Sequence, residues 1–433
     1  MMTNDRRFTY QEISRGYKEE EYFEKVLIKI NLKINDPQKG YLPSYEIKSL
    51  DLENESNVKG PFLNMIKEIK KEIENEIEHY RKNQLREWNL FYLYKEFFQK
   101  LGNDYNYFRG QSTNWEMLPG VLRKNVSSEF QNQFEVIYQD IMYKYPDLIE
   151  YYDPIATKDG IKKRELQLAH LQHYGLKTSL VDITENPFIA LLFMVSESSK
   201  NDFENAIIDI YNINFKEHQK NNIFSKVKFL KSNSRLIAQK GAFFNFDKVA
   251  LYLKNVRQEN IKKIPLIRIQ LNPSYPILEE KEKLLETNKK KEKEISDKIG
   301  ATIHKNENTE SDKEKDNKIR FKINGSIFNL LKEKKEIEDK IKTIKEDIKT
   351  IDNYYYSFLD SIRIQIKQKL EEFYYKERDL FPDLYKHIDY VQANYEENSY
   401  KDKLKKPELK RTKKDKSTKN SLKFLVKSSN DEN

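Results

Sequence analysis

An unbroken apolar run at residues 188–195 is the feature that most constrains the fold of this chain. It follows Asn186 and Pro187, which can supply a side-chain cap and a residue pre-set for the first helical position. A helix without a polar face must be buried, and this one is about half the length needed to cross a bilayer. The sequence therefore predicts a short buried helix that begins directly after Asn186.

Polar residues gather just before this helix. Gly175 predicts the end of an earlier helix, and an extended run with Thr178, Ser179, Asp182 and Thr184 follows it. A strand end that lies against a rigid buried helix can hold such side chains in a fixed array. We therefore expect a functional site here.

Composition limits the protein class. The chain has 433 residues, a net charge of +9 and no cysteine, so disulfides and thiolate metal sites are excluded. Residues 401–433 contain 12 basic and 5 acidic residues, a net charge of +7, so the rest is nearly neutral. No signal peptide or long apolar segment is visible, and we expect a soluble cytoplasmic protein without a membrane partner.

Hydrophobic periodicity predicts an α+β fold, with a mixed sheet and flanking helices. Alternating apolar residues predict a half-buried strand at residues 26–34, and a single apolar stripe predicts a helix at residues 61–80. The other predicted elements are a helix at residues 84–101 and strands at residues 206–213 and 264–271.

The composition changes abruptly at residue 279. We interpret residues 279–350 as an inserted helical hairpin with a disordered connector, whose second helix starts at Gly325. The 4-3-4-3 spacing of apolar residues at 337–351 is typical of a coiled coil. A partner-binding or self-associating arm and a solvated charged spacer are both compatible with this pattern.

These changes in composition predict five regions. They are an N-terminal strand-containing extension (1–60), the main part of a domain (61–278), the charged coiled-coil insertion (279–350), the C-terminal part of the domain (351–400) and a basic disordered tail (401–433).

Four ordered sequence blocks resemble the FRG domain, a family with a Phe-Arg-Gly signature. The first block contains Phe108-Arg109-Gly110-Gln111, followed by Trp115, Leu118, Pro119, Leu122 and Arg123. The other matching residues are His173 to Leu176, Asp182, Thr184, Asn186, Pro187 and Ala190; Arg235, Gln239, Gly241 and Phe243; and residues 380–384. The resemblance implies an effector of a bacterial anti-phage or toxin-type system that acts on NAD or another nucleotide.

A weaker resemblance is to ADP-ribosyltransferase-like folds, through a strand with Arg109, the Thr178-Ser179 pair and a later strand with Gln239. It implies that the arginine contacts a phosphate or ribose of NAD and that Gln239 orients the ribose. Because Gln239 cannot ionise, NAD hydrolysis or nucleotide binding is favoured over transfer to a protein side chain.

The candidate site follows from both resemblances. The candidate catalytic residues are Arg109, His173 and Gln239, and the candidate substrate-binding residues are Phe108, Gly110, Gln111, Thr178, Ser179, Asp182, Thr184, Asn186 and Arg235. NAD is the expected substrate, and no metal is expected, because no third ligand accompanies His170 and His173.

Two alternatives remain at this point. Arg109 and Gln239 can instead be buried structural residues with satisfied hydrogen bonds. The protein can also be a non-catalytic module that binds nucleic acid through its basic tail or another protein through the hairpin.

Overall fold

A single mixed sheet of eight strands forms the centre of the molecule in the computed structural model. The structure describes residues 7–35, 44–53, 58, 60–82, 89–196, 202–226, 238–253, 261–307 and 313–380. The strands are β1 (Phe23–Ile34), β2 (Tyr45–Glu53), β3 (Tyr107–Gln111), β4 (Leu180–Thr184), β5 (Ile207–Tyr211), β6 (Phe224–Ser225), β7 (Gly241–Asn245) and β8 (Ile264–Ser274). Their order is β2-β1-β8-β5-β3-β4-β7-β6.

Twelve described helices flank this sheet, so the predicted α+β class is confirmed. They are α1 (Tyr10–Gly16), α2 (Glu19–Tyr22), α3 (Pro61–Lys82), α4 (Leu90–Leu101), α5 (Ser128–Lys144), α6 (Lys158–His173), α7 (Pro187–Ser196), α8 (Phe215–Asn221), α9 (Val249–Leu253), α10 (Pro276–Glu307), α11 (Lys313–Glu372) and α12 (Glu377–Leu380). The start of the helix expected at residues 84–101 lies partly outside the described residues.

The N-terminal strand β1 belongs to the interior of the sheet. It pairs in parallel with β8 and antiparallel with β2, while the other strand pairs are antiparallel. Its alternating residues from Val26 to Ile34 are buried in a hydrophobic core, as the sequence pattern predicts. The extension and the main domain therefore share one sheet.

Two hydrophobic cores cover the sheet. On β3, Phe108 enters one core and Tyr107 the other, and on β5 Ile210 and Tyr211 divide in the same way. Successive side chains of a strand point to opposite faces, so the two cores lie on opposite sides of the sheet.

Helix α7 is buried in the first core, as predicted. Asn186 caps it, because its Oδ1 atom accepts hydrogen bonds from the backbone N–H groups of Phe188 and Ile189 at 2.9 and 3.3 Å. A Cβ atom at Gly110 would lie 1.8 Å from the carbonyl oxygen of Ala190 in α7. The glycine of the Phe-Arg-Gly sequence therefore permits β3 to pass directly against this helix.

Helices α10 and α11 form an antiparallel hairpin. Ile295 of α10 packs with Ile337 and Ile341 of α11, and Lys281 pairs with Asp347 at 2.6 Å. The expected helix start at Gly325 is wrong, because α11 already begins at Lys313. One glycine costs only about 1 kcal/mol within a long helix, which flanking helix-forming residues can offset.

Helix α11 crosses the expected boundary at residue 350 without interruption. Its C-terminal half packs into the first core through Tyr355, Phe358, Leu359, Ile362, Ile366 and Leu370. One helix therefore belongs to both the hairpin and the body of the protein. The last predicted FRG block, apart from Leu380, and the basic tail lie outside the described residues.

None of the described helices is both long and apolar enough to span a membrane.

Candidate functional site

A cavity of about 470 Å³ lies where strands β3 and β4 separate. These strands pair only at Phe108 and Thr184, and beyond this point both strands line the cavity. Its lining residues are Phe108, Arg109, Gly110, Gln111, Trp115, Gly120, Arg123, Gln172, Gly175, Leu176, Lys177, Thr178, Leu180, Val181, Asp182, Ile183, Thr184, Phe193, Ser196, Gln239, Gly241 and Glu377. The fork between the strands therefore brings polar groups from distant parts of the chain together.

Arg109 contributes an unsatisfied cation to this cavity. Its terminal Nη1 atom is buried and has no hydrogen-bond partner within the described part of the chain. Burial lowers the pKa of Arg109, and the nearby Arg123 and Arg268 lower it further, against the opposing effects of Tyr211 and Asp209. A buried donor without a partner is costly, and it is well suited to a ligand anion.

The nearest strand neighbour of Arg109 is an acid that another arginine holds. Asp209 on β5 lies opposite Arg109 on β3, and it also lies opposite Arg268 on β8. Arg268 donates to the two carboxylate oxygens of Asp209 at 2.7 and 2.9 Å. Asp209 is already engaged in this bidentate pair with Arg268, so two arginines share one acid. The positive charge of Arg109 is therefore not fully neutralised at the cavity.

Gln111, two residues further along β3, provides a second unsatisfied group. The residue is 5% exposed, and its Oε1 atom is buried without a hydrogen-bond partner among the described residues. Residues two apart on a strand share a face. The β3 wall can therefore contact both an anion and a neighbouring hydroxyl or amide group.

The opposite wall is held by a chain of hydrogen bonds. The Thr178 hydroxyl donates to the Gln172 amide oxygen and accepts a bond of 3.2 Å from the backbone N–H of Leu180. Gln172 then donates to Asp182 at 2.7 Å. Thr178 thus positions Gln172, which in turn orients the Asp182 carboxylate at the cavity.

Gln239 lines the cavity from the turn that precedes β7, so the expectation that it lies on a strand is wrong. The positive φ of Lys240, 47°, ends this turn before the strand begins. Thr184 donates to the backbone oxygen of Gln239 at 2.7 Å, and the Gln239 side chain donates to the carbonyl of Leu380 at 3.1 Å. Its amide nitrogen is therefore engaged, and no hydrogen bond to its amide oxygen is present among the described residues.

Residues 375–380 at the C-terminal end of the described chain close one side of the site. Glu377 lines the cavity and pairs with Lys367 at 2.8 Å. Tyr375 accepts a hydrogen bond of 3.0 Å from the Asn186 amide. Glu377 is a cavity residue that the sequence does not indicate, because neither its spacing nor its surroundings in the sequence point to a site.

Three of the described candidate residues do not line the cavity. Ser179 is fully buried on the far side of the wall beside Asp247 and Tyr10, and Asn186 caps α7. His173 ends α6, with its ring centroid 5.0 Å from that of Tyr174, and Arg235 lies outside the described residues. We assign structural roles to Ser179 and Asn186, since their side chains face other parts of the protein.

The loop after β3 supplies further cavity residues. Trp115, Gly120 and Arg123 all line the cavity, and the backbone N–H of Val121 donates to the carbonyl oxygen of Thr178 at 3.1 Å. Trp115 and Arg123 belong to the sequence block that resembles the FRG domain. The block alone does not show which of its residues contact a ligand and which pack inside the protein.

Comparison with known protein families supports the first resemblance. The family model of the FRG domain matches residues 104–203, so the chain contains an FRG domain. This match covers β3, β4 and α7, which are the elements that form the fork of the cavity. Neither the curated proteins nor the solved structures include a match to this chain.

Proposed function

We propose that the FRG domain of this chain binds a nucleotide in the cavity between β3 and β4, and that NAD is its substrate. The observation that carries this proposal is that Arg109 lines the cavity while its buried Nη1 atom has no hydrogen-bond partner among the described residues. A phosphate oxygen would satisfy this donor, and the arginine fork suits bidentate phosphate contacts.

The charges of the cavity favour an anionic ligand. Three cationic residues, Arg109, Arg123 and Lys177, line the cavity against two acidic ones, Asp182 and Glu377, while Asp209 is already neutralised by Arg268. The cavity volume, about 470 Å³, falls within the range of small-molecule sites. A dinucleotide would place its negatively charged centre near Arg109 and extend a sugar towards the opposite wall.

The opposite wall can contact the sugar. Asp182 presents a carboxylate that Gln172 orients, and Gln239 has an amide oxygen while its nitrogen is fixed on the carbonyl of Leu380. Both groups accept hydrogen bonds from ribose hydroxyls. Fixing the ribose in this way would favour cleavage of the bond between ribose and nicotinamide.

The proposed reaction is hydrolysis. The C1′–N bond of NAD breaks and its electron pair remains on nicotinamide, while a water oxygen bonds to C1′ and the released proton passes to solvent. The positive charge that develops on the ribose in the transition state would be stabilised by the acidic side chains that line the cavity, Asp182 and Glu377.

The wider role proposed for the protein is that of an effector in a bacterial anti-phage or toxin-type system, which would act by depleting NAD. Support comes from the FRG domain together with the charge and volume of the cavity. The alternative is a non-catalytic module, in which the same cavity binds a nucleotide as a signal without cleaving it.

Calorimetry with NAD, ADP-ribose and pyrophosphate, alongside chromatography of NAD after incubation with the protein, tests the proposal. We expect binding of all three ligands and release of nicotinamide from NAD. Binding without nicotinamide release would support the non-catalytic alternative. No binding of any of the three ligands would contradict the proposed site.

A further inference from the structure

Trp115 is an exposed aromatic residue that lines the cavity. It is 41% exposed, and it lines the same cavity as Arg109. Exposing an indole ring to water is unfavourable, whereas stacking against a planar ring removes apolar area from water. The position of Trp115 is therefore suited to the base of a nucleotide.

The loop that carries Trp115 is anchored on the neighbouring strand. Arg268 donates to the Asn114 side-chain oxygen at 3.2 Å, and the Asn114 amide donates to Gln270 at 3.3 Å. The backbone N–H of Trp115 also donates to the carbonyl oxygen of Thr113 at 2.9 Å. The residue before the indole is thus fixed to β8, which reduces the entropy that the loop would lose on binding a ligand.

The same anchor links the indole to the charge of the cavity. Arg268 holds Asp209 with two of its nitrogens and Asn114 with the third. One buried arginine therefore engages both carboxylate oxygens of Asp209 and also positions the loop with Trp115. With these contacts in place, one ligand could contact Arg109 with its anionic group and Trp115 with a planar ring.

We propose that Trp115 forms a base-binding subsite, in which it stacks on the aromatic base of a nucleotide whose phosphate contacts Arg109. This inference rests on the proposed function, and it adds that recognition requires a planar base as well as a phosphate. The ligand class is then a base-bearing nucleotide, as opposed to a sugar phosphate or an inorganic anion.

Tryptophan fluorescence can test this subsite directly. The chain has two tryptophans, so Trp88→Phe leaves Trp115 as the single reporter in the full-length protein. We expect ADP-ribose and AMP to change this emission over the concentrations at which calorimetry detects binding. Ribose 5-phosphate and pyrophosphate, which lack a base, should change it far less at equal occupancy.

Variants at Trp115 separate stacking from folding. Trp115→Ala should weaken ADP-ribose binding about tenfold or more, and leave pyrophosphate binding nearly unchanged. Trp115→Tyr, which keeps an aromatic face, should restore most of the affinity. Equal loss of pyrophosphate and ADP-ribose binding in Trp115→Ala, or no loss of either, would overturn the subsite.

The wild-type protein distinguishes the two proposals. Binding of pyrophosphate with no gain from a base would contradict the Trp115 subsite and leave the anion site at Arg109 intact. Absence of binding by pyrophosphate and by all of the nucleotides would contradict both.

Discussion

Arg268 holds both carboxylate oxygens of Asp209, with Nε–Oδ1 and Nη2–Oδ2 distances of 2.7 and 2.9 Å. Asp209 is fully buried and faces Arg109 across the strand pair. The buried pair engages the acid that lies opposite Arg109, and the Nη1 atom of Arg109 has no hydrogen-bond partner among the described residues. The sheet itself therefore establishes the charge of the cavity.

The hydrogen bond from Gln239 to the carbonyl of Leu380 predicts that two substitutions of Gln239 destabilise the protein. Gln239→Ala should lower the free energy of unfolding by about 1–3 kcal/mol, because the buried carbonyl of Leu380 loses its donor. Gln239→Glu should be at least as destabilising, since a carboxylate cannot donate to this carbonyl. Urea unfolding measures both effects.

A matched substitution controls this experiment. Gln133→Ala changes the same residue type at an exposed position on α5 and should shift the unfolding free energy by less than about 0.5 kcal/mol. If Gln239→Glu is as stable as the wild type, then the bond to Leu380 does not hold the turn before β7.

Two partly buried tyrosines predict a loss of stability at alkaline pH. Burial raises the pKa of Tyr45 and of Tyr252 to about 12, whereas an unfolded tyrosine has a pKa of about 10. The stability that these residues contribute is fully present below pH 10, and it falls as the pH rises from 10 to 12, because the unfolded state loses protons first.

Urea midpoints from pH 8 to pH 11.5, together with phenolate absorbance, measure this effect. Tyr45→Phe should reduce the loss of stability above pH 10, and Tyr374→Phe, at a residue 84% exposed, should not. Phenolate absorbance that rises fully before the protein unfolds would contradict the burial of these hydroxyls.

The packing of the hairpin predicts that substitutions at buried apolar residues of α11 destabilise the protein more than substitutions at exposed ones. Ile341→Lys with Ile344→Lys should reduce helicity and lower the unfolding free energy by about 2 kcal/mol or more, because both residues are buried. Leu331→Lys is the control, since Leu331 is 50% exposed. Circular dichroism and sedimentation measure helicity and self-association. Equal effects of buried and exposed substitutions would contradict the hairpin packing.

If the protein binds nucleic acid, we expect the basic tail at residues 401–433 to carry the binding. Its net charge of +7 should give weak, salt-sensitive binding, because counterion release from phosphates dominates such contacts. Deleting these residues should abolish the binding in a fluorescence anisotropy titration with a short DNA duplex. Unchanged binding by the truncated protein would assign the interaction to another surface.

Local sequence signals predict the elements of this fold better than their arrangement. The Asn186-Pro187 sequence predicts the start of α7, and alternation from Val26 to Ile34 predicts β1. The parallel pairing of β1 with β8 depends on contacts more than 200 residues apart in the chain, for which no local pattern exists.

The same distinction applies to the candidate site. The Phe-Arg-Gly block identified Arg109, which lines the cavity with Gln239. Ser179 and Thr178 are adjacent in the sequence, but only Thr178 lines the cavity, and no pattern in the sequence separates the two residues. Glu377 enters the cavity through the packing of α11 on the core, which periodicity does not reveal.

Ligand binding by Arg109→Lys tests the central claim most directly. Lysine keeps a positive charge but cannot form the two parallel hydrogen bonds of a guanidinium group, so the affinity for pyrophosphate and ADP-ribose should fall at least tenfold. Arg7→Lys, at an exposed arginine, is the control, and thermal melts should show that both variants remain folded. The account predicts lost affinity with an unchanged melting temperature for Arg109→Lys. A lower melting temperature with unchanged affinity would contradict it and assign Arg109 a structural role.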